Sequence, residues 1–172
     1  VADLQLLENL DGAAPISSDR FSASLRPFGT KLELATAGPV DLRLPGTANR
    51  VTGLGLWRAL WLAPARWLLV HPAANQSTPP ELLEAATSGL ARIIDVTCRR
   101  SEIACEGPAV PEIFGKCTPL DLRPDRFAPG TCAQTWFSGF PVIVERRETD
   151  CSIFVEAPLS AAFWAMLTDA AS

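Results

Sequence analysis

The stretch Arg92-Ile-Ile-Asp-Val-Thr-Cys-Arg-Arg-Ser-Glu-Ile-Ala-Cys105 decides the fold. Its pattern reads as one long strand. One residue disturbs it. Asp95 interrupts the apolar run of Ile93, Ile94 and Val96, and an acid in mid-strand requires a hydrogen-bond donor or a cation. Two readings stand for Asp95: a structural pair with an arginine, with Arg99 and Arg100 close by, or a group that binds substrate.

Upstream, Lys31-Leu-Glu-Leu-Ala35 alternates as a short strand, and Val40-Asp-Leu-Arg-Leu-Pro45 alternates up to Pro45-Gly46. Leu54 to Leu62 and Trp67 to Val70 read as two strands joined by a proline turn. On the first, Trp57, Ala59 and Trp61 face one way and Leu56, Arg58, Leu60 and Leu62 the other. Both faces are largely apolar, which fits a central or doubly covered strand. The four-residue spacing of Trp57 and Trp61 also permits a helix. Thr78-Pro-Pro-Glu81 predicts a helix start: Thr78 caps, Pro79 takes the first helical position and Glu81 completes a capping box. Leu82, Leu83, Ala86 and Leu90 then form the apolar stripe, with Gly89 near the end.

Downstream, Gly107-Pro108 opens a short helix through Ile113-Phe114. Thr131 to Arg147 is strand material bent near Ser138-Gly139, forming a hairpin. Cys151 to Glu156 is a further strand, and Pro158 starts a last helix with Leu159, Phe163, Met166 and Leu167 at helical spacing. Residues 1–30 read as an irregular N-terminal arm, punctuated by Asp11-Gly12, Ala14-Pro15 and Arg26-Pro27. Paired strands alternating with single helices predict an α+β fold. Its sheet is largely antiparallel or mixed and covered by helices, in a single domain over residues 31–172.

Composition narrows the function. The 172 residues carry a net charge of −4, which speaks against a nucleic-acid partner. The basic residues come as short pairs, Arg99-Arg100 and Arg146-Arg147, not as a stripe. Hydrophobic residues reach 48% and charged residues only 20%, against about 25% charged in ordinary soluble domains. There are five Trp and no Tyr. This excess either fills a core or marks a patch for a permanent partner. No run approaches the ~18 apolar residues of a membrane span; Leu54 to Val70 is broken by Arg58, Pro64 and Arg66. The first residues show neither a basic region nor a long apolar segment, so no signal peptide and no membrane are expected, and the expected location is cytoplasmic.

No catalytic constellation emerges. The single histidine, His71, reads as structural. There is no Gly-x-Ser-x-Gly elbow, and Gly53-Leu-Gly-Leu-Trp57 lacks the third glycine of a dinucleotide loop. Asp121 and Asp125 look like paired carboxylates, or like solvated turn residues paired with Arg123 and Arg126. The five cysteines, Cys98, Cys105, Cys117, Cys132 and Cys151, lack Cys-x-x-Cys spacing. Reduced, structural thiols are expected, with a Cys117–Cys132 bridge or metal site as the alternative. Between those two cysteines lies a loop rich in Pro, Asp and Arg. Taken alone it reads as a metal clip, a disulfide loop, an active site or a surface shaped for another protein.

Four elements occur in order: Asp95-Val-Thr-Cys-Arg-Arg100, Gly107-Pro108 opening a helix, Pro119-Leu-Asp-Leu122, and Phe127-Ala-Pro-Gly-Thr-Cys-Ala-Gln-Thr135. Together they closely resemble the gamma subunit of heterotetrameric sarcosine oxidase. Trp61-Leu-Ala-Pro-Ala-Arg-Trp-Leu-Leu-Val70 resembles that family's preceding strand pair, and the Phe163-Trp164 helix is similar in kind. The resemblance runs from about Leu56 to Ala170. Thr118 stands where the family usually has cysteine, and Cys98 where it often has His or Gly, which leaves the amine substrate open.

The resemblance implies a fold similar to folate-binding aminomethyltransferases and the amino-terminal domain of tRNA-modification GTPases. It implies an oxidoreductase complex that demethylates sarcosine or a related N-methyl amine, yielding glycine (or the demethylated amine), hydrogen peroxide and 5,10-methylenetetrahydrofolate. The partners are alpha, beta and delta subunits. They are expected to carry FAD, FMN, NAD, tetrahydrofolate and zinc, and this chain is expected to hold no cofactor, metal or catalytic residue. A stand-alone folate-binding aminomethyltransferase-like protein is the alternative. In the complex the Pro-stiffened loop becomes a docking surface. Pro119, Leu120, Leu122 and Phe127 are expected to supply apolar contact, and Asp121, Arg123 and Arg126 the polar rim. Asp95, Arg99 and Arg100 are further interface candidates.

Overall fold

The deciding stretch breaks at Asp95 in the computed structural model, which describes residues 13–38 and 43–172. Ala91–Asp95 is one strand, Thr97–Arg99 a turn of 3₁₀ helix and Arg100–Glu106 a second strand, in a different sheet. The cause is local. The Asp95 carboxylate accepts the backbone N–H of Thr97 at 2.8 Å, an Asx turn that competes with strand extension. Lys31 locks the turn: its carbonyl accepts from Val96 N–H, and its own N–H donates to Thr97 Oγ1, each at 2.9 Å. The donor that Asp95 requires is thus backbone, not an arginine.

The strands are β1 (Ile16–Ser17), β2 (Ser22–Leu25), β3 (Lys31–Thr36), β4 (Val51–Leu54), β5 (Trp57–Ala63), β6 (Arg66–Val70), β7 (Ala91–Asp95), β8 (Arg100–Glu106), β9 (Thr131–Phe137), β10 (Phe140–Arg146) and β11 (Asp150–Glu156). The helices among the described residues are α1 (Pro80–Thr87), α2 (Val110–Cys117) and α3 (Ser160–Ala171). The α+β class and the antiparallel pairing hold, but the strands divide between two sheets. The chain forms two compact units: residues 27–97, and residues up to 26 together with 98–172.

The unit spanning 27–97 has the antiparallel order β4-β5-β6-β3-β7. The expected strand from Leu54 is a hairpin instead. Gly55, with φ +63°, turns the chain between Leu54 and Trp57, which pair directly; glycine adopts that conformation without the Cβ penalty. The proline turn between β5 and β6 is present, with Ala65 at φ 58°. One face carries Leu32, Leu34, Trp57, Ala59, Trp67 and Leu69, closed by Leu82 of α1. Each buried leucine among them contributes roughly 1.5–3 kcal/mol. The helix starts later than its capping signal suggests. Pro79 is the N-cap, Pro80 follows, and no side chain caps. The buried positions are therefore Leu82 and Ala85, while Leu83 and Leu90 are exposed. The alternation proposed over Val40–Pro45 falls in its first half on residues 40–42, outside the described residues, and residues 43–45 form no strand.

The other unit has the antiparallel order β1-β2-β8-β11-β10-β9. Its ladder aligns Ala133, Val144, Ile153, Ile103 and Leu25 across five strands, and this row packs beneath α2 and α3. Phe114, Phe137, Phe163 and Phe140 join the helices to the sheet through ring contacts of 5.0–6.1 Å. Ser138 (φ 45°) and Gly139 (φ 92°) form the two-residue turn of the β9–β10 hairpin, where two consecutive positive φ values match the right-handed strand twist. The first thirty residues are not all irregular. Described from residue 13, they include β1 and β2, and Phe21 lies in the core. Gly107 receives this segment: at φ +108°, a Cβ there would stand 2.3 Å from the Arg20 carbonyl oxygen.

Candidate interaction surface

The loop from Cys117 to Thr131 is not closed by a disulfide. All five cysteines are free, and Cys117 and Cys132 are buried. Among the described residues no three His, Cys, Asp or Glu side chains gather as a metal set. Cys105 and Cys151 face each other across β8 and β11. Burial, first among the causes, pushes both thiols above the ordinary range, which keeps them protonated and unreactive.

The loop is pinned at both ends and in the middle. Thr118 Oγ1 bonds Thr135 Oγ1 at 2.9 Å, and Ser138 N–H donates to the Cys117 carbonyl at 2.7 Å. Gly130 N–H donates to the Arg146 carbonyl at 2.9 Å. Between these ties, Leu122 (4% exposed) and Phe127 (5%) insert into the core around Phe114 and Phe137. Those two side chains are this chain's own core and are not available to a partner. The expectation for them is corrected, and the reason is the backbone turn at Arg123, whose carbonyl accepts from both Arg126 and Phe127 N–H. That turn directs Phe127 inward.

Outside lie Pro119, Asp121, Arg123, Pro124, Asp125, Arg126 and the 128–130 turn, with Leu120 half-buried. The charges there are engaged with one another. Arg123 donates through Nε and Nη2 to the two Asp121 carboxylate oxygens at 2.9 and 2.6 Å, and Arg126 lies 3.6 Å from Asp125. The side-chain bond from Arg123, reinforced by its backbone N–H, lowers the Asp121 carboxyl to about 2. These carboxylates are ion-paired turn residues; no acid–base pair is formed. Asp95 and Arg99 are exposed and Arg100 is half-buried.

Buried charge sits elsewhere. Glu102 on β8 and Asp150 on β11 are 5% and 4% exposed. Arg26 serves both, through Nη2 to Asp150 and with Nε 3.4 Å from Glu102, while Ser152 Oγ donates to Glu102 at 2.9 Å. This clamp joins β2's end to β8 and β11. His71 is buried too; its Nδ1 accepts Ala73 N–H at 3.1 Å and its ring lies 5.1 Å from Trp57. It is a packed structural histidine.

Two exposed features were missed from sequence. Trp136 on the edge strand β9 is 61% exposed, beside Pro141. Its alternation with the buried Phe137 was the available signal. On β6 and β7, Arg66, Arg92 and Ile94 border a hollow of about 250 Å³.

The fold is shared with an aminomethyltransferase. It superposes on glycine cleavage system aminomethyltransferase T from Bartonella henselae with a TM-score of 0.61, covering 96% of this chain and 48% of that one. At 11% identity this likeness is one of fold alone. Residues 32–172 match the sarcosine oxidase, gamma subunit family, and the chain belongs to that family. It is 29% identical over 119 residues to sarcosine oxidase subunit gamma of an Arthrobacter species, and 30% identical over 113 residues to that of Corynebacterium sp. strain P-1. These matches cover 69% and 65% of this chain, and 58% and 55% of the relatives, so the chain spans little more than half the length of the relatives it matches. It is also similar to a chain of heterotetrameric sarcosine oxidase from Corynebacterium sp. U-96, solved in complex with pyrrole 2-carboxylate. The TM-score is 0.79 and the identity 25%, covering 97% of this chain and 91% of that one.

Proposed function

We propose that this chain is a non-catalytic, assembling subunit of a heterotetrameric sarcosine oxidase-type complex. The complex oxidatively demethylates sarcosine or a related N-methyl amine, with hydrogen peroxide and 5,10-methylenetetrahydrofolate among its products. FAD, FMN, NAD, tetrahydrofolate and zinc belong to the alpha, beta and delta partners, and the complex is cytoplasmic. Arg99, Arg100, Asp95 and the outer loop residues Pro119, Leu120, Asp121, Arg123 and Arg126 are kept as candidate partner contacts.

The observation that carries the reading is the likeness over nearly the whole chain to a chain of a heterotetrameric sarcosine oxidase. Two features support it. The charged groups of the 117–131 loop and of the Arg26 clamp are engaged in structural pairs, and large apolar side chains such as Trp136 and Leu56 stand exposed. Exposed apolar surface of this kind is what a permanent partner covers. No described helix is long and apolar enough to cross a membrane.

The test is affinity purification of the chain from its native cells, followed by an absorption spectrum and a peroxide assay with sarcosine. A yellow eluate with larger subunits and sarcosine-dependent peroxide is expected. A colourless single chain overturns the reading.

A further inference from the structure

The hollow on the unit spanning 27–97 combines charge and apolar surface in a specific arrangement. Ala35 on β3 pairs with Arg66 of β6 on one side and with Arg92 of β7 on the other. Directly paired residues share a sheet face, and strands lie about 4.8 Å apart, so the two arginine Cα atoms stand roughly 10 Å apart across a methyl group. The small side chain leaves a notch between two long ones. Leu62 and Ile94 complete its apolar border, and Ile94 is 39% exposed on the edge strand β7.

Both guanidinium groups are exposed, and neither has an ion-pair partner among the described residues. Arg123 and Arg126, equally on the surface, do have partners. Glu33 borders the same hollow and already has a partner of its own. In a chain of net charge −4, two adjacent arginines without an ion-pair partner among the described residues are not a by-product of general basicity. Two forks of N–H donors at one notch match a carboxylate. A small free anion would meet them in water, where each exposed contact contributes little. A protein surface would exclude that water and cover Leu62 and Ile94 at the same time.

We propose that this hollow seats an acidic side chain of another subunit, its carboxylate between Arg66 and Arg92 and an apolar neighbour against Leu62 and Ile94. The proposal rests on the assembling role put forward above and names one of its contact surfaces.

The test uses the full chain and the complete complex. Association of wild-type chain with the remaining subunits is compared with that of the Arg66→Glu, Arg92→Glu double variant and of the Arg66→Lys, Arg92→Lys variant, at low and high salt. The charge-reversed chain is expected to associate at least tenfold more weakly, with the salt dependence reduced. The lysine variant should retain most binding. Thermal unfolding of the chain should be unchanged, since both residues are exposed and have no ion-pair partner among the described residues. A photo-crosslinking benzophenone side chain replacing Ile94 should capture an Asp- or Glu-bearing segment of a different subunit. Wild-type affinity for the reversed variant overturns the docking site alone, as does capture of a non-acidic segment or of a second copy of this chain. Failure of the wild-type chain to associate overturns the assembling role as well.

Discussion

Replacing Phe127 with alanine separates the two roles that its position on an exposed loop suggests. The ring is 5% exposed and lies within the cluster formed by Phe114, Phe137 and Phe163. A phenylalanine buries about 150–250 Å², which at ~25 cal/mol per Å² gives roughly 4–6 kcal/mol as an upper bound. Measured Phe→Ala losses run about 3–5 kcal/mol. A loop relaxes more readily than a sheet, so the expected loss is about 3 kcal/mol. For a chain of this length that corresponds to a fall in Tm of roughly 6–12 °C. Phe127→Leu, which keeps most of the apolar volume, should lose less than about 1.5 kcal/mol. The assay is urea unfolding of the full chain followed by far-UV circular dichroism, with subunit association measured in parallel. A Phe127→Ala chain within about 1 kcal/mol of wild type, yet unable to associate, would refute the reasoning. It would mean that the ring serves a partner and not the core.

Two further outcomes follow from the charged groups. Arg26→Ala removes the guanidinium shared by the buried Glu102 and Asp150, while Asp150 keeps Arg147 at 3.7 Å and Glu102 keeps Ser152, so it should cost about 1–3 kcal/mol in urea unfolding; a loss under about 0.5 kcal/mol removes the clamp. For Asp121, the folded carboxyl at about 2 lies below its ordinary value of 3.8. Its pairing therefore stabilises the loop fully above about pH 4, and that contribution disappears as pH falls toward 2. Carboxyl ¹³C shifts followed through this window should titrate near 2 in wild type and higher in Arg123→Ala, which keeps only the backbone N–H bond and the more distant Arg126; a wild-type midpoint near the ordinary 3.8 means the pair does not persist in solution.

The legible parts of the fold were those with strong local signals. Alternation marked β3, β-forming composition marked β11, the Ser138-Gly139 bend marked the β9–β10 hairpin, and Phe163 with Leu167 marked the buried stripe of α3. What escaped depended on one or two side chains overriding a pattern. The residues 92–105 keep β-forming composition throughout, yet a single Asp95–Thr97 hydrogen bond sends the two halves into different sheets. Leu122 and Phe127 occupy a segment whose prolines and charges signal surface. Their burial comes from a turn that only the backbone hydrogen bonds reveal. The Arg66–Ala35–Arg92 row was invisible because strand register, not sequence distance, brings those residues together.

The break at Asp95 also bears on how the chain reaches its native state. In the six-stranded sheet, β2 and β8 are neighbours, with Leu25 opposite Ile103, while the whole of residues 27–97 lies between them as a separate unit. Closing so long a loop in an unfolded chain carries an entropic penalty that grows with its length. The inserted unit shortens it. Its own pairing of Leu32 with Asp95 holds the two exits of that unit together, so once those five strands are formed, the ends that must meet are separated by only a few residues on each side. The inserted sheet thus acts as an internal staple, converting a remote strand pairing into a local one.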